Sequence, residues 1–439
     1  MARESDVLIP PVGVIDAPAA SAMASPARRL DGVIDAATAL LDGGVTTVES
    51  VHRAIARRSF ASLRIVPLVG EVSEVVGAMH HGIACTVYAT IRAAVAVCGL
   101  ATSVTASVAR TGDASTRPSD RGDAIVAVLN GFAGDRLART GNPLATTMAV
   151  VRRGRTVALD RRSLAAVFSD ASPRLAVFIH GLAGNEDWWR RDAHRHYGDL
   201  EVTYGSRLHD DLGYTPVYVR YNSGLHVSEN GRQLAHVLER LVAEWPIAIE
   251  EIAIVGHSMG GLVARSACHY GRDAGCGWID RVRHVVFLGS PHVGAPLEKT
   301  ANVTAWMLGL TDVTRPFAEV LNARSVGIKD LRFGSIVDDD WRAGDVDALL
   351  VDRTADVPLL ESASHYFVAA TVTRDAQHPL GVAVGDLLVR EASASGRGRA
   401  RRLRFPIEHG RRFGPMTHLE LLNHPDVYDQ LRSWLGPNP

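Results

Sequence analysis

The chain has 439 residues, of which 46% are hydrophobic and 22% charged, with a net charge of −1. This is an ordinary globular composition with enough apolar material for a large core and room for two units. The near-zero charge removes any global reason to expect nucleic acid or an anionic membrane surface as a partner.

Lysine is confined to Lys299 and Lys329, so almost every cation is arginine, a bias of coding and not of binding. The four cysteines, Cys85, Cys98, Cys268 and Cys276, have no metal-ligand spacing. The first residues carry early acids and two prolines where a signal peptide needs a basic start and an apolar run. The expectation is a reduced, cytoplasmic protein with free thiols.

Residues 1–28 are rich in Ala, Pro and Ser and read as a mobile tail. Residues 29–145 read as a helical region, a cap or docking unit. Val33, Ile34, Ala37, Leu40 and Leu41 share a helical face, and Gly43-Gly44 stop it. A longer run follows Ser73, with Val76, Met79, Ile83, Val87, Ile91 and Val95 spaced by threes and fours. Residues 93–109 carry no charge, yet they are short for a membrane span and only mildly apolar, so a buried or cap helix is expected, with peripheral membrane contact as the alternative. The polar stretch 111–123 is a linker. One more helix places Ile125, Val128, Leu129, Phe132 and Leu137 on one side and ends at Gly141-Asn142-Pro143.

From residue 146 the texture changes to an α/β pattern. MAVV and TVALD flank RRGR, a predicted hairpin. RLAVFI (174–179), TPVYVRY (215–221), EIAIV (251–255), HVVFLG (284–289) and HYFVAATV (365–372) are short apolar runs bounded by turn residues. Each has the look of a strand buried on both faces. Helical patterns such as residues 230–245 separate them, which implies a mostly parallel sheet with helices on both faces.

The stretch Gly256-His257-Ser258-Met259-Gly260 sits between one of these strands and a helical pattern. A nucleophile in a strained turn needs neighbours without Cβ atoms. The turn lifts the Ser258 hydroxyl and leaves the Met259 N–H at a helix start, where an oxyanion is favoured. Serine needs a base, and the base an orienting carboxylate. Asp386, in AVGDLLV, is the favoured carboxylate over Asp375. His418, before the last helix, is the favoured base over His424, which reads as a helix-start residue of a helix from Pro425 to Leu435. The second backbone donor is expected at Leu182, in His180-Gly181-Leu182-Ala183-Gly184, directly after RLAVFI. Trp188, Trp189 and His257 are candidate pocket walls. His292, in SPHVGAP (290–296), reads as structural or pocket-lining.

Residues 297–360 form a long insertion, read as a cap or lid with apolar Trp306, Met307 and Leu308. RGRARRLR (397–404) alternates as an exposed edge or loop does. No phosphate-binding loop, dinucleotide fingerprint or metal pair appears, and the chemistry calls for no cofactor.

The stretches HGLAG, GHSMGG, SPHVGAP, GDLLV and THLELLNHPDVYDQL give residues 146–439 a resemblance to the α/β-hydrolases, specifically the bacterial lipase and GPI inositol-deacylase-like group. That resemblance implies Ser258 as nucleophile, Asp386 as orienter and His418 as general base, with backbone donors at Leu182 and Met259. The expected activity is hydrolysis of lipid-like or apolar esters through an acyl-enzyme. An acyltransferase with the same triad and a non-catalytic lipid-binding protein of the same fold are the alternatives.

Overall fold

The structure, a computed structural model, describes residues 120–294, 325–342, 354–371, 386, 389, 391–398 and 402–436. The expected tail, most of the N-terminal helical region, Cys85, Cys98, Asp375 and the apolar group at Trp306 lie outside the described residues, as does the uncharged run 93–109. Among the described residues no helix is long and apolar enough to cross a membrane, and Cys268 and Cys276 are free thiols.

Eight strands form one sheet: β1 (Ala149–Arg152), β2 (Arg155–Val157), β3 (Arg174–Ile179), β4 (Thr215–Arg220), β5 (Glu251–His257), β6 (Val282–Leu288), β7 (Ser364–Ala370) and β8 (Gly410–Phe413). Their order is β2-β1-β4-β3-β5-β6-β7-β8. The pairs from β4 through β8 are parallel, and β1 runs antiparallel to both its neighbours. The predicted hairpin is present. Arg153 and Gly154 both have positive φ, 50° and 75°, as the tightest hairpin turn requires.

Strand alternation explains the two-sided core. In β5, Ile252 and Ile254 face one layer, with Leu234 and Leu238 of the helix Val227–Glu244 and Leu262 and Val263 of the helix Met259–Asp273. Ala253 and Val255 face the other, with Tyr204 and Leu208 of the helix Tyr204–Leu212 and Tyr428 and Leu431 of the helix Pro425–Leu435. Successive side chains of a strand point to opposite faces, so a continuous apolar run is what a sheet covered on both sides needs.

Three sequence expectations need correction or addition. β8, Gly410-Arg411-Arg412-Phe413, has no apolar run; it is an edge strand with two exposed arginines, placed by pairing with β7. The helix Asp120–Arg139 buries only part of the face expected of it, Leu137. Val128 and Phe132 are exposed, while Asn130, Gly131 and Gly134 are buried. Its small residues let it lie directly on loop backbone, an arrangement that apolar periodicity does not signal. In the insertion, residues 325–342 are built into the body and are no separate lid. Asp330 accepts the Val227 N–H at 2.8 Å and faces His226 Nδ1 at 3.1 Å, His226 stacks on Trp341 at 4.0 Å, and Ser266 donates to the Ile336 carbonyl at 2.6 Å.

The loop after β3 is pinned by its first residue. The Tyr221 N–H donates to His180 Nε2 at 3.3 Å, so the ring proton sits on Nδ1 and is donated to the Gly181 carbonyl at 2.8 Å. Tyr221 returns its hydroxyl to the His180 carbonyl at 2.8 Å, and the two rings stack at 4.3 Å. Burial pushes the His180 imidazole down to about 4. An unfolded chain, with its histidines near 6.5, takes up this proton first as the pH falls. Stability present above pH 6.5 is therefore lost as pH falls toward 4, by on the order of 3 kcal/mol from this group. Buried His365, also pushed down to about 4, acts in the same direction. Denaturant unfolding at pH 7 and pH 4.5 checks this: His180→Asn is less stable than wild type at pH 7 but loses less on acidification. An equal acid loss in the two proteins refutes the assignment.

Candidate active site

β5 ends in a turn whose tip is Ser258, with φ 54° and ψ −123°. This is a left-handed conformation that side chains rarely adopt, held by the closeness of its surroundings. A Cβ on Gly256 would lie 2.6 Å from the Gly261 Cα, and one on Gly260 would strike the carbonyls of Ile179 and His180. The strand, the following helix and the end of β3 thus meet backbone to backbone. The Ser258 N–H donates to the Leu288 carbonyl at 2.8 Å, tying the turn to the end of β6. The side chain is half-buried, and the helix Met259–Asp273 begins at the next residue.

His418 opens a short turn of 3-10 helix, His418–Leu422, before the last helix. A capping box of Thr417 and Glu420 fixes the start of that turn. The His418 Nδ1 lies 2.7 Å from Asp386 Oδ2. The other carboxylate oxygen accepts the Val389 N–H at 2.7 Å, and the Asp386 carbonyl accepts the His418 N–H at 3.2 Å. Both groups are almost fully buried. With Nδ1 donating to the carboxylate, Nε2 is the nitrogen left to accept a proton.

The His418 ring lies over the same strand ends that carry Ser258. A Cβ on Gly289 would sit 3.0 Å from its Cε1 and Nδ1, and Gly289 directly follows the Leu288 that holds the Ser258 N–H. The rings of His257 and His418 are 4.7 Å apart, and His257 Nε2 donates to the His418 carbonyl at 3.0 Å. Burial, with the neighbouring His418 charge, holds His257 well below the usual imidazole range. It stays neutral and serves as a spacer.

The loop after β3 closes on the same point. A Cβ on Gly181 would be 3.1 Å from the Ser258 Cβ. Leu182 follows, then Ala183, which has a positive φ of 60°. The Ala183 N–H donates to Ser223 Oγ at 3.0 Å, and the Gly184 N–H to the Gly181 carbonyl at 3.2 Å. Among the described residues, neither the Leu182 nor the Met259 N–H gives a hydrogen bond, which leaves both for a ligand oxygen.

The pocket-wall expectations divide. Trp189 is 1% exposed and packs edge-on against Phe178 at 5.0 Å, in the core. His257 is fully buried between Trp189 and His418. Both belong to the packed layer beneath the loop, because large rings fill the space under a backbone turn. Trp188 stays half-buried, against Gly184. His424 accepts the Asp426 N–H at 3.2 Å and caps the last helix, as its place before Pro425 suggests. His292 is buried, edge-on to Phe287 at 4.6 Å. Sequence reasoning missed Ser223, in the Asn222-Ser223-Gly224 turn after β4; a run of small polar residues after a strand was its one signal. No group of three histidine, cysteine or acidic side chains that could hold a metal occurs among the described residues.

Residues 171–355 match the family model of the PGAP1-like alpha/beta domain. Among solved structures, the chain is similar to the lipase BlEst2 of Bacillus licheniformis in its propeptide form, at 18% identity over 61% of this chain and 52% of that one, with a TM-score of 0.41. The chain thus spans about half the length of that protein. The mature form gives 18% identity over 60% and 91% of the two chains and a TM-score of 0.38. A lipase-esterase related protein from Clostridium acetobutylicum gives 14% over 61% and 96%, with a TM-score of 0.32. No curated protein matches. The match over residues 171–355 agrees with the architecture, an eight-stranded, mostly parallel sheet with helices on both faces that is α/β-hydrolase-like.

Proposed function

We propose that the protein is a serine carboxylic-ester hydrolase acting on lipid-like or other apolar esters. The observation that carries this reading is the buried His418–Asp386 pair, 2.7 Å apart, seated at the strand ends beside the strained Ser258 turn. In the reaction, Ser258 Oγ attacks the ester carbonyl carbon as His418 Nε2 takes its proton. The negative charge gathers on the carbonyl oxygen, where the Leu182 and Met259 N–H groups receive it. The carbon–oxygen bond to the alcohol then breaks, and His418 returns its proton to the departing alcohol. Water, activated by the same imidazole, releases the acid and restores the serine.

The apolar preference is supported by half-buried Trp188, which lies against Gly184 in the loop after β3. Apolar surfaces of this kind favour acyl chains over charged ligands.

A fluorophosphonate probe and a chain-length series of chromogenic esters test the reading. Wild type is labelled and turns over; Ser258→Ala loses labelling and at least about 10⁴-fold in kcat. Labelling that persists in the Ser258 variant removes the assignment. Asp386→Asn disrupts the tautomer that points Nε2 at the serine, so kcat falls by roughly 10²- to 10⁴-fold while the fold survives. Product analysis with added short alcohols is expected to give mainly free acid; mainly transesterified product would instead make the protein an acyltransferase.

A further inference from the structure

We infer that the helix Asp120–Arg139 is a working part of the ester site, and that Gly131 is the positioning residue through which it holds the backbone donor at Leu182. The inference rests on the proposed hydrolase reading and adds to it an element outside the matched region 171–355.

The contact is between backbones. A Cβ on Gly131 would lie 2.7 Å from the Ala183 Cβ, 2.8 Å from its Cα and 3.0 Å from its nitrogen. Leu182 lies between Ala183 and Gly181, on which a Cβ would be 3.1 Å from the Ser258 Cβ, so a displaced Ala183 shifts the backbone that carries the Leu182 N–H. Ala183 holds a positive φ of 60°, which a residue with a side chain keeps only when its surroundings impose it. Two neighbours do so: Ser223 takes its N–H, and Gly131 packs against its Cα and Cβ.

The helix is itself fixed firmly enough to act as a backstop. Buried Asn130 donates to the Leu144 carbonyl at 2.8 Å and accepts the Thr146 N–H at 2.9 Å, locking the helix to the chain that leads into β1. Ser325 donates to the Gly131 carbonyl at 2.6 Å. Asn222 donates to the Gly134 carbonyl at 3.0 Å, and Asp123 pairs with Arg220 at 3.2 Å. The helix therefore joins four segments, the chain before β1, the turn after β4, the insertion at Ser325 and the loop after β3. Gly131 itself takes the Ser325 hydroxyl on its carbonyl and has Ala183 where a Cβ would stand.

The test is steady-state hydrolysis of a chromogenic ester by the full chain, with rates divided by active sites counted through complete fluorophosphonate labelling. In Gly131→Ala, kcat per labelled site falls about 10- to 100-fold, as for a donor displaced by a fraction of an ångström. KM stays within about threefold, because the donor acts on the transition state, and the pH midpoint of kcat/KM does not move, because His418 and Asp386 are untouched. A merely structural helix lowers the number of labelled sites and leaves kcat per site intact, which overturns the inference. Ser325→Ala removes one hydroxyl, with no steric demand, and gives a smaller loss of kcat per site in the same direction; if Gly131→Ala does not fold, an unchanged kcat per site in Ser325→Ala overturns the inference. Adding Ala183→Gly to Gly131→Ala takes away the nearest clash and restores part of the rate; no recovery refutes the route through Ala183. A wild-type protein that is neither labelled nor active refutes the hydrolase reading and this inference together.

Discussion

The structure depends on a place where three backbones meet without side chains between them. Gly256, Gly260 and Gly261 let β5, the helix after it and the end of β3 approach to contact, and that approach imposes the positive φ of Ser258. A serine with freedom to relax would leave that conformation. The sheet supplies the restraint. β5 is central, paired on both sides, with an apolar layer on each face. The strain at the tip is therefore stored against the packing of the whole domain, and the site is as stiff as the core.

Polar groups near that tip are kept neutral or paired. His180 and His257 are fully buried, and burial drives both imidazoles toward the neutral form. Each uses both its shape and one ring nitrogen on a backbone carbonyl: His180 on Gly181, His257 on His418. A charged spacer beside His418 would oppose its protonation during a proton transfer. With His257 neutral beside it, the ring paired with Asp386 carries the charge change alone in the proposed reaction.

Much of this was legible in the sequence, and what was not has a physical pattern. The strands β3 to β7 announce themselves because a strand covered on both faces is apolar without interruption. Ser258 and the glycines around it are legible because the turn's sterics restrict residue type. His418 and Asp386 were recoverable as an ordered pair downstream, although nothing in the sequence fixes their 2.7 Å contact. β8 was invisible because an edge strand needs only backbone pairing, and its Arg411 and Arg412 serve solvent. The inner face of the helix Asp120–Arg139 was misread because it docks on backbone with Gly131 and Gly134. Apolar periodicity detects burial against side chains and is blind to burial against main chain.

These two kinds of burial divide the site. The base side comes from the C-terminal end of the chain, where His418 and Asp386 are bonded side chain to side chain and backbone to backbone. The donor side comes from the loop after β3, whose shape rests on Ser223, Tyr221 and Gly131. The two sides touch through His257 and Ser258 alone among the contacts described above. In the proposed reaction a substitution on the base side alters proton transfer, and one on the donor side alters how charge is received on the ester oxygen. Because the donor side rests on the helix Asp120–Arg139, the proposed oxyanion site depends on an element outside the core sheet, while the His418–Asp386 pair is held by buried contacts within the domain.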